Sequence, residues 1–350
     1  MKVVFEDKQF EDDVRKSINN LEGDITKEEL INLTELSIGH YSDEPWVRSL
    51  EGIQYCENLK KIELIEIGIS DISMLKNLKN LEYLDLTGNY IKDIDDISNL
   101  KSIEYLNLSY NPIENVDIVE SLPNLKCLNL FETPTKFPKL MYPMKILSIG
   151  IPNNCMDLKF LIKYENVKEI FLPKWIEDFN IAKRYIKKID EIEKIDLLNS
   201  KIKTLNSLEG FTNLKTLCLV GNSIEDITGL KYLKDLVELD LGINEIRDIS
   251  CISQLEKLES LSLDSNSIED IGVLENLKNL KKLSLMECRV KDISVLKYLV
   301  NLEELYLDYN QITDISSIEN LSKLKVLWLY GNKINNKEIL KKLNLEDLIY

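Results

Sequence analysis

One histidine, His40, stands in a chain of 350 residues, and that scarcity limits what chemistry the chain can perform. HExxH, Cys–His and Ser–His layouts all need an imidazole as ligand or base, and His40 sits in an insertion. GxSxG, GxxxxGK[ST] and GxGxxG do not occur. The six cysteines (Cys56, Cys127, Cys155, Cys218, Cys251, Cys288) are scattered with no CxxC pair, which fits neither a zinc set nor a disulfide framework and suits a reducing compartment. Cys127 and Cys218 fall at outward strand positions, but the pattern places no basic group beside them to lower a thiol pKa. A recurring acidic residue (Asp71, Asp93, Asp226, Asp248, Asp270, Asp292, Asp314) invites a calcium reading. Each is followed by Ile and lacks the Gly-rich spacing of calcium loops, so it is expected to cap a short turn. Carboxylates on an open, wet surface have little to shift their pKa. No catalytic residue, no metal and no cofactor are expected, and the chain reads as no enzyme.

The elements that must position these residues repeat. Residues 302–323, LEELYLDYNQITDISSIENLSK, follow LxxLxLxxNxIxDIxxLxxLxx, with Leu302, Leu305, Leu307, Ile312, Ile315, Ile318 and Leu321 apolar. The 22-residue period and its LxxLxLxxN half match the leucine-rich-repeat signature. Alternation buries the leucines and turns the third, fifth and seventh positions outward. The expected fold is α/β, a curved, right-handed leucine-rich-repeat solenoid with a parallel sheet on its concave face. Asn at the ninth position (Asn89, Asn111, Asn222, Asn244, Asn266, Asn310, Asn332) is expected to form a ladder that satisfies turn backbone, with Cys288 replacing it once.

Regular units start at Leu59, Leu81 and Ile103, and again at Ile192, Leu214, Leu236, Leu258, Leu280, Leu302 and Leu324. The first, 33–58, carries the insertion GHYSDEPWVRS. Irregular units are read from Leu125, Met144 and Val167, where five of the eight prolines lie (Pro134, Pro138, Pro143, Pro152, Pro173). Trp175, Phe179, Ala182, Ile186 and Ile189 have helical spacing and predict a helix there. About fourteen units then occupy 33–336. Residues 1–32 are expected to be a helical cap, with Phe10, Val14, Ile18 and Leu21 on one apolar face and a capping box from Thr26 to Glu29. Residues 337–350 are expected to close the other end.

The stretch FEDKQFEDDVRKSINNLEGDITKEELINLTELSI, followed by LEGIQYCENLKKIEL, resembles the cap and first repeats of bacterial internalin-like proteins. The resemblance covers residues 3 to about 124 and again 192–345. It implies a helical cap joined to 22-residue repeats carrying the same NxIxDIxxL pattern, with a protein partner bound through exposed positions that differ between members.

Outward positions are where individuality lies. One cluster comprises Glu304, Tyr306, Asp308, Tyr309, Trp328 and Tyr330, led up to by Asp240, Asp264 and Met286. The other comprises Tyr83, Asp85, Tyr105, Asn107, Tyr110 and Phe131, with Phe171 further along. Tyr and Trp are frequent interface anchors, and carboxylates among them call for a protein partner with a basic surface. With 60 acidic against 44 basic residues and a net charge of −16, nucleic acid is not expected as a partner. No apolar run is long enough for membrane insertion, and a monomer is expected. The start, MKVVFEDKQFEDD, has no apolar signal segment, so a cytoplasmic location is expected. Two alternatives are a secreted or surface virulence protein binding a host receptor, and a regulatory or inhibitory subunit docking on an enzyme.

Overall fold

The structure, a computed structural model, describes residues 1–39, 46–135 and 146–350. His40, Pro138, Pro143 and Met144 lie outside the described residues. The chain divides into two compact units, residues 1–173 and 174–350.

The first unit opens on the cap. Helix α1, Lys8–Ser17, starts at Asp7, whose side chain accepts from Phe10 N, and it buries Phe10 and Val14. Helix α2, Lys27–Ile31, carries the expected capping box in full, with Thr26 and Glu29 exchanging backbone hydrogen bonds. Leu21, read as part of the apolar face, is instead 73 % exposed, because α1 has ended and Asn19 and Gly23 turn the chain with positive φ. Strands β1 Glu35–Gly39, β2 Lys61–Ile65, β3 Tyr83–Asp85, β4 Tyr105–Asn107, β5 Cys127–Asn129, β6 Ser148–Gly150 and β7 Glu169–Phe171 follow, each parallel to the one before it. Cys127 stands opposite Ser148 and Ser148 opposite Glu169. That register puts buried Ile146 in the first apolar position of its repeat, where Met144 had been read.

In the second unit, β8 Lys194–Asp196, β9 Thr216–Cys218, β10 Glu238–Asp240, β11 Ser260–Ser262, β12 Lys282–Ser284, β13 Glu304–Tyr306, β14 Val326–Trp328 and β15 Asp347–Ile349 again run parallel in chain order. The residues read as a closing segment thus form a 3₁₀ turn, Lys337–Lys342, and a further strand. The helix expected over 175–189 is shorter: α3 is Phe179–Lys183, N-capped by Asp178, with Ile189 already in a 3₁₀ turn. Phe179 packs edge-on against Phe211 of the next repeat, so the helix serves as one widened return segment.

The framework behaves as its pattern requires. The leucines and isoleucines at the framework positions of the repeats are buried, most of them completely. Asn244 shows the ladder: Nδ2 donates to Leu219 O and Leu241 O, and Oδ1 accepts from Ile224 N, tying its own turn to the preceding one. Asn89, Asn111, Asn222, Asn266, Asn310 and Asn332 repeat the arrangement, and Cys288 donates weakly to Leu263 O in its place. A second ladder, not anticipated, uses the residue before the first leucine of several repeats: Asn80, Asn124, Asn213, Asn279 and Asn301 donate to a carbonyl of the preceding repeat, and Asn58 to Ile31 O of α2. The recurrent Asp residues cap their turns, each accepting from the backbone N two residues on at 2.8 Å. Among the described residues no group of three His, Cys, Asp or Glu side chains is placed to hold a metal ion, and no helix is long and apolar enough to cross a membrane.

Candidate functional site

The turn after each strand shapes the residue at its eighth position. At that eighth position the backbone takes positive φ in repeat after repeat: Glu66, Gly88, Tyr110, Glu132, Asn199, Gly221, Ile243, Ser265, Glu287, Tyr309 and Gly331. Glycine suits this conformation; Tyr110, Ile243 and Tyr309 do not, and they are 48 %, 58 % and 55 % exposed. Large apolar groups held outward in a strained conformation mark surface used for something other than packing. Ile243 was missed in the sequence reading. Aligning the eighth positions alone would have found it, since Ile243 is the one β-branched residue among the described residues with positive φ.

In the second unit, strand register aligns Asp240, Ser262, Ser284, Tyr306 and Trp328 in one row across the sheet. Tyr306 and Trp328 meet edge to face, with ring centroids 4.9 Å apart. Tyr306 OH donates to Glu304 Oε2 at 2.9 Å, Lys282 Nζ reaches the same carboxylate at 2.9 Å, and that ammonium lies 5.3 Å from the Tyr306 ring centre. The lysine holds the Glu304 carboxyl below its usual pKa, while burial and then Glu304 raise the Tyr306 hydroxyl to about 12. Trp328 Nε1 donates to Asp347 Oδ2 at 2.9 Å. Tyr309 and Tyr330 form a second edge-to-face pair, and a side chain at Gly331 would strike the Tyr309 ring.

Two carboxylates at outward positions are engaged. Asp308 is buried, its Oδ1 accepting from Tyr330 N at 2.6 Å. Asp264 Oδ1 accepts from Ser284 Oγ and Met286 N. Both reach across to the next repeat because the turn leaves a backbone N–H there without a strand partner. Burial raises both carboxyl pKa values. Asp240 accepts from Gly242 N at 3.0 Å.

In the first unit, Tyr83 and Tyr105 stack face to face, centroids 4.0 Å apart and 3° from parallel, with Lys61 Nζ 5.1 Å from the Tyr83 centroid. Burial raises both hydroxyl pKa values. Asp85 is buried between Thr87 and Asn107, and Asn107 holds Ser109. Phe131, read as outward, is 8 % exposed and lies edge-on to Tyr110, which takes the exposed place instead. Phe171 is half-buried at the end of β7. Five thiols are held away from activation: burial pushes Cys218 and Cys56 up to about 12 and Cys251 and Cys288 to about 11, and raises Cys127.

Family models described as "Leucine Rich repeats (2 copies)", "Leucine rich repeat" and "Leucine Rich Repeat" match residues 212–254, 256–298 and 300–343, residues 57–113 and residues 102–125, together more than half of the chain. Among solved structures, an internalin (inlF) of Listeria monocytogenes is 25% identical with a TM-score of 0.50, over 100% of this chain and 98% of that one. The leucine-rich-repeat ectodomain of the Arabidopsis thaliana receptor kinase GASSHO1/SCHENGEN3, solved in complex with CASPARIAN STRIP INTEGRITY FACTOR 2, has a TM-score of 0.54 at 21% identity, over 85% of this chain and 42% of that one. No curated protein matches the sequence. The repeats, their Asn ladders and the helical cap, together with these matches, place the chain in the leucine-rich-repeat proteins of bacterial internalin-like type, a family of protein–protein interaction modules.

Proposed function

We propose that this chain binds a protein partner through the outward face of its strands, with Tyr306 and Trp328 as anchors, and that the partner offers a basic surface. The observation that carries the reading is the Tyr306–Trp328 pair: two large rings whose positions the core does not require to be aromatic, held upright by hydrogen bonds to Glu304 and Asp347. Pre-oriented aromatic side chains lose little entropy on contact and are the commonest energetic centres of interfaces. The carboxylates beside them favour Lys and Arg on the other side through ion pairing and contact with the ring faces. We place this binding in the cytoplasm, in keeping with cysteines scattered through the chain with no CxxC pair.

The test is affinity capture from the native cell with the wild type and with Tyr306→Ala/Trp328→Ala, followed by titration of the captured protein. The double variant is expected to bind at least about tenfold more weakly. A partner that binds both forms equally would remove these residues from the interface.

A further inference from the structure

Charge is treated differently at two places on the second unit's strands. At the second position of the repeats, lysine and glutamate pair across neighbouring strands: Lys215 with Glu193, Lys281 with Glu259, Lys325 with Glu303. At the outward third, fifth and seventh positions of β10 and of the turn after β11 the carboxylates have no such partner, whereas Glu304 on β13 is paired with Lys282. Among the described residues, Glu238, Asp240 and Asp264 make no ion pair, and their hydrogen bonds come from Thr216, Gly242, Ser262, Ser284 and Met286. The side chains between them are small. Gly242 contributes none, and Ser262 and Ser284 leave a shallow trough that Tyr306 and Trp328 close at one end. Ile243 rises beside it, 58 % exposed. A partly buried carboxylate with no cation beside it is costly, and two that repel one another more so; burial and Asp240 both raise the Asp264 pKa against the hydrogen bonds from Ser284, Met286 and Ser262. A sheet surface that neutralises its edge and leaves its trough negative is complementary to a cation arriving from outside.

We propose that this trough takes an extended basic peptide segment of the partner, lying across the strands, with a Lys or Arg side chain at Asp240 and Asp264 and an apolar side chain against Tyr306 and Trp328. This rests on the function proposed above and names its ligand chemistry. Geometry sets the spacing. Neighbouring strands are about 4.8 Å apart, so Asp240, three strands from Tyr306, lies roughly 14 Å from it. The Asp264 carboxylate, bonded to Ser284 one strand from Tyr306, is nearer. An extended chain advances about 3.3 Å per residue and shows alternate side chains to one face. The basic and apolar residues of the segment are therefore separated by an even step, about two or four positions.

The experiment is selection of a random 12-residue peptide display library on the intact chain. Titration of the selected synthetic peptides follows, at low and high salt, against wild type, Asp240→Asn/Asp264→Asn and Tyr306→Ala/Trp328→Ala. Asparagine keeps the oxygen that accepts from Gly242 N and Met286 N, and circular dichroism checks the fold. Asp240→Asn alone, which touches a single backbone bond, serves if the pair perturbs folding. Expected are peptides with a basic and an apolar residue an even step apart, whose binding weakens with salt and falls about tenfold in each double variant. Peptides that need Tyr306 and Trp328 but are indifferent to salt and to the two Asp→Asn changes would overturn this inference and leave the aromatic site standing. If no selected peptide depends on Tyr306 and Trp328, or none is selected, both fail.

Discussion

Ile243 and Asp196 show how single residues sit against the preferences of the repeat. Ile243 is β-branched, exposed and at φ 55°, where steric clash with its own backbone makes L side chains costly. Ile243→Asn should raise stability by about 1 kcal/mol in denaturant unfolding, since asparagine tolerates that conformation and no buried contact is lost. Asp196 is half-buried on β8, and burial raises its carboxyl pKa above the model-peptide value, with Asp240 adding to the rise. A carboxyl whose folded pKa is raised binds its proton more tightly in the folded state. Stability is therefore greatest below the unfolded pKa near 3.8 and falls as pH rises through the folded pKa. Asp196→Asn should accordingly raise Tm at pH 7, with the gain shrinking as pH drops into the carboxylate range. A gain constant with pH would mean that the charge is not what burial penalises.

At the scale of elements, the cap is joined to the first repeat through Asp7. One carboxylate oxygen caps α1 at Phe10 N, and the other accepts from Arg48 N at 2.7 Å. Asp7→Ala should cost about 1–2 kcal/mol, read as a lower Tm, with faster amide exchange over α1 and around residue 48. The elements were read from sequence unequally well. Thr26 and Glu29 announce their helix because a capping box is local. Trp175 to Ile189 announce a longer helix than exists, because helical spacing says nothing about where the chain must turn back. Here it must re-enter the sheet at Lys194, so α3 ends after one packed turn against Phe211. The start read at Met144 shifts to Ile146 for a related reason: in an irregular repeat, only pairing with the previous strand sets the register.

On the scale of the molecule, each repeat contacts mainly its neighbours, so damage should spread along the array rather than remove the fold at once. Leu283 on β12 is fully buried. Leu283→Ala should cost about 3 kcal/mol, and hydrogen exchange should quicken first in the repeats starting at Leu258 and Leu302, which flank it. Uniform acceleration over residues 1–350 would instead show one cooperative block.

From the sequence alone came the period, the buried leucines, the ninth-position Asn ladder and the capping Asp, because each depends on contacts within a repeat or on identical contacts between repeats. Only the tertiary structure decided which outward side chains stay available. Asp308 goes to Tyr330 N, one oxygen of Asp264 to Ser284 and Met286 while the other keeps only a 3.5 Å contact with Ser262, and Phe131 into the core beside Tyr110, whereas Tyr306 and Trp328 remain standing on the sheet. Ser262 apart, the partner in each case lies one repeat away and varies from one repeat to the next. Alternation along a strand fixes the face a residue points to, but the neighbouring turn fixes what it meets there.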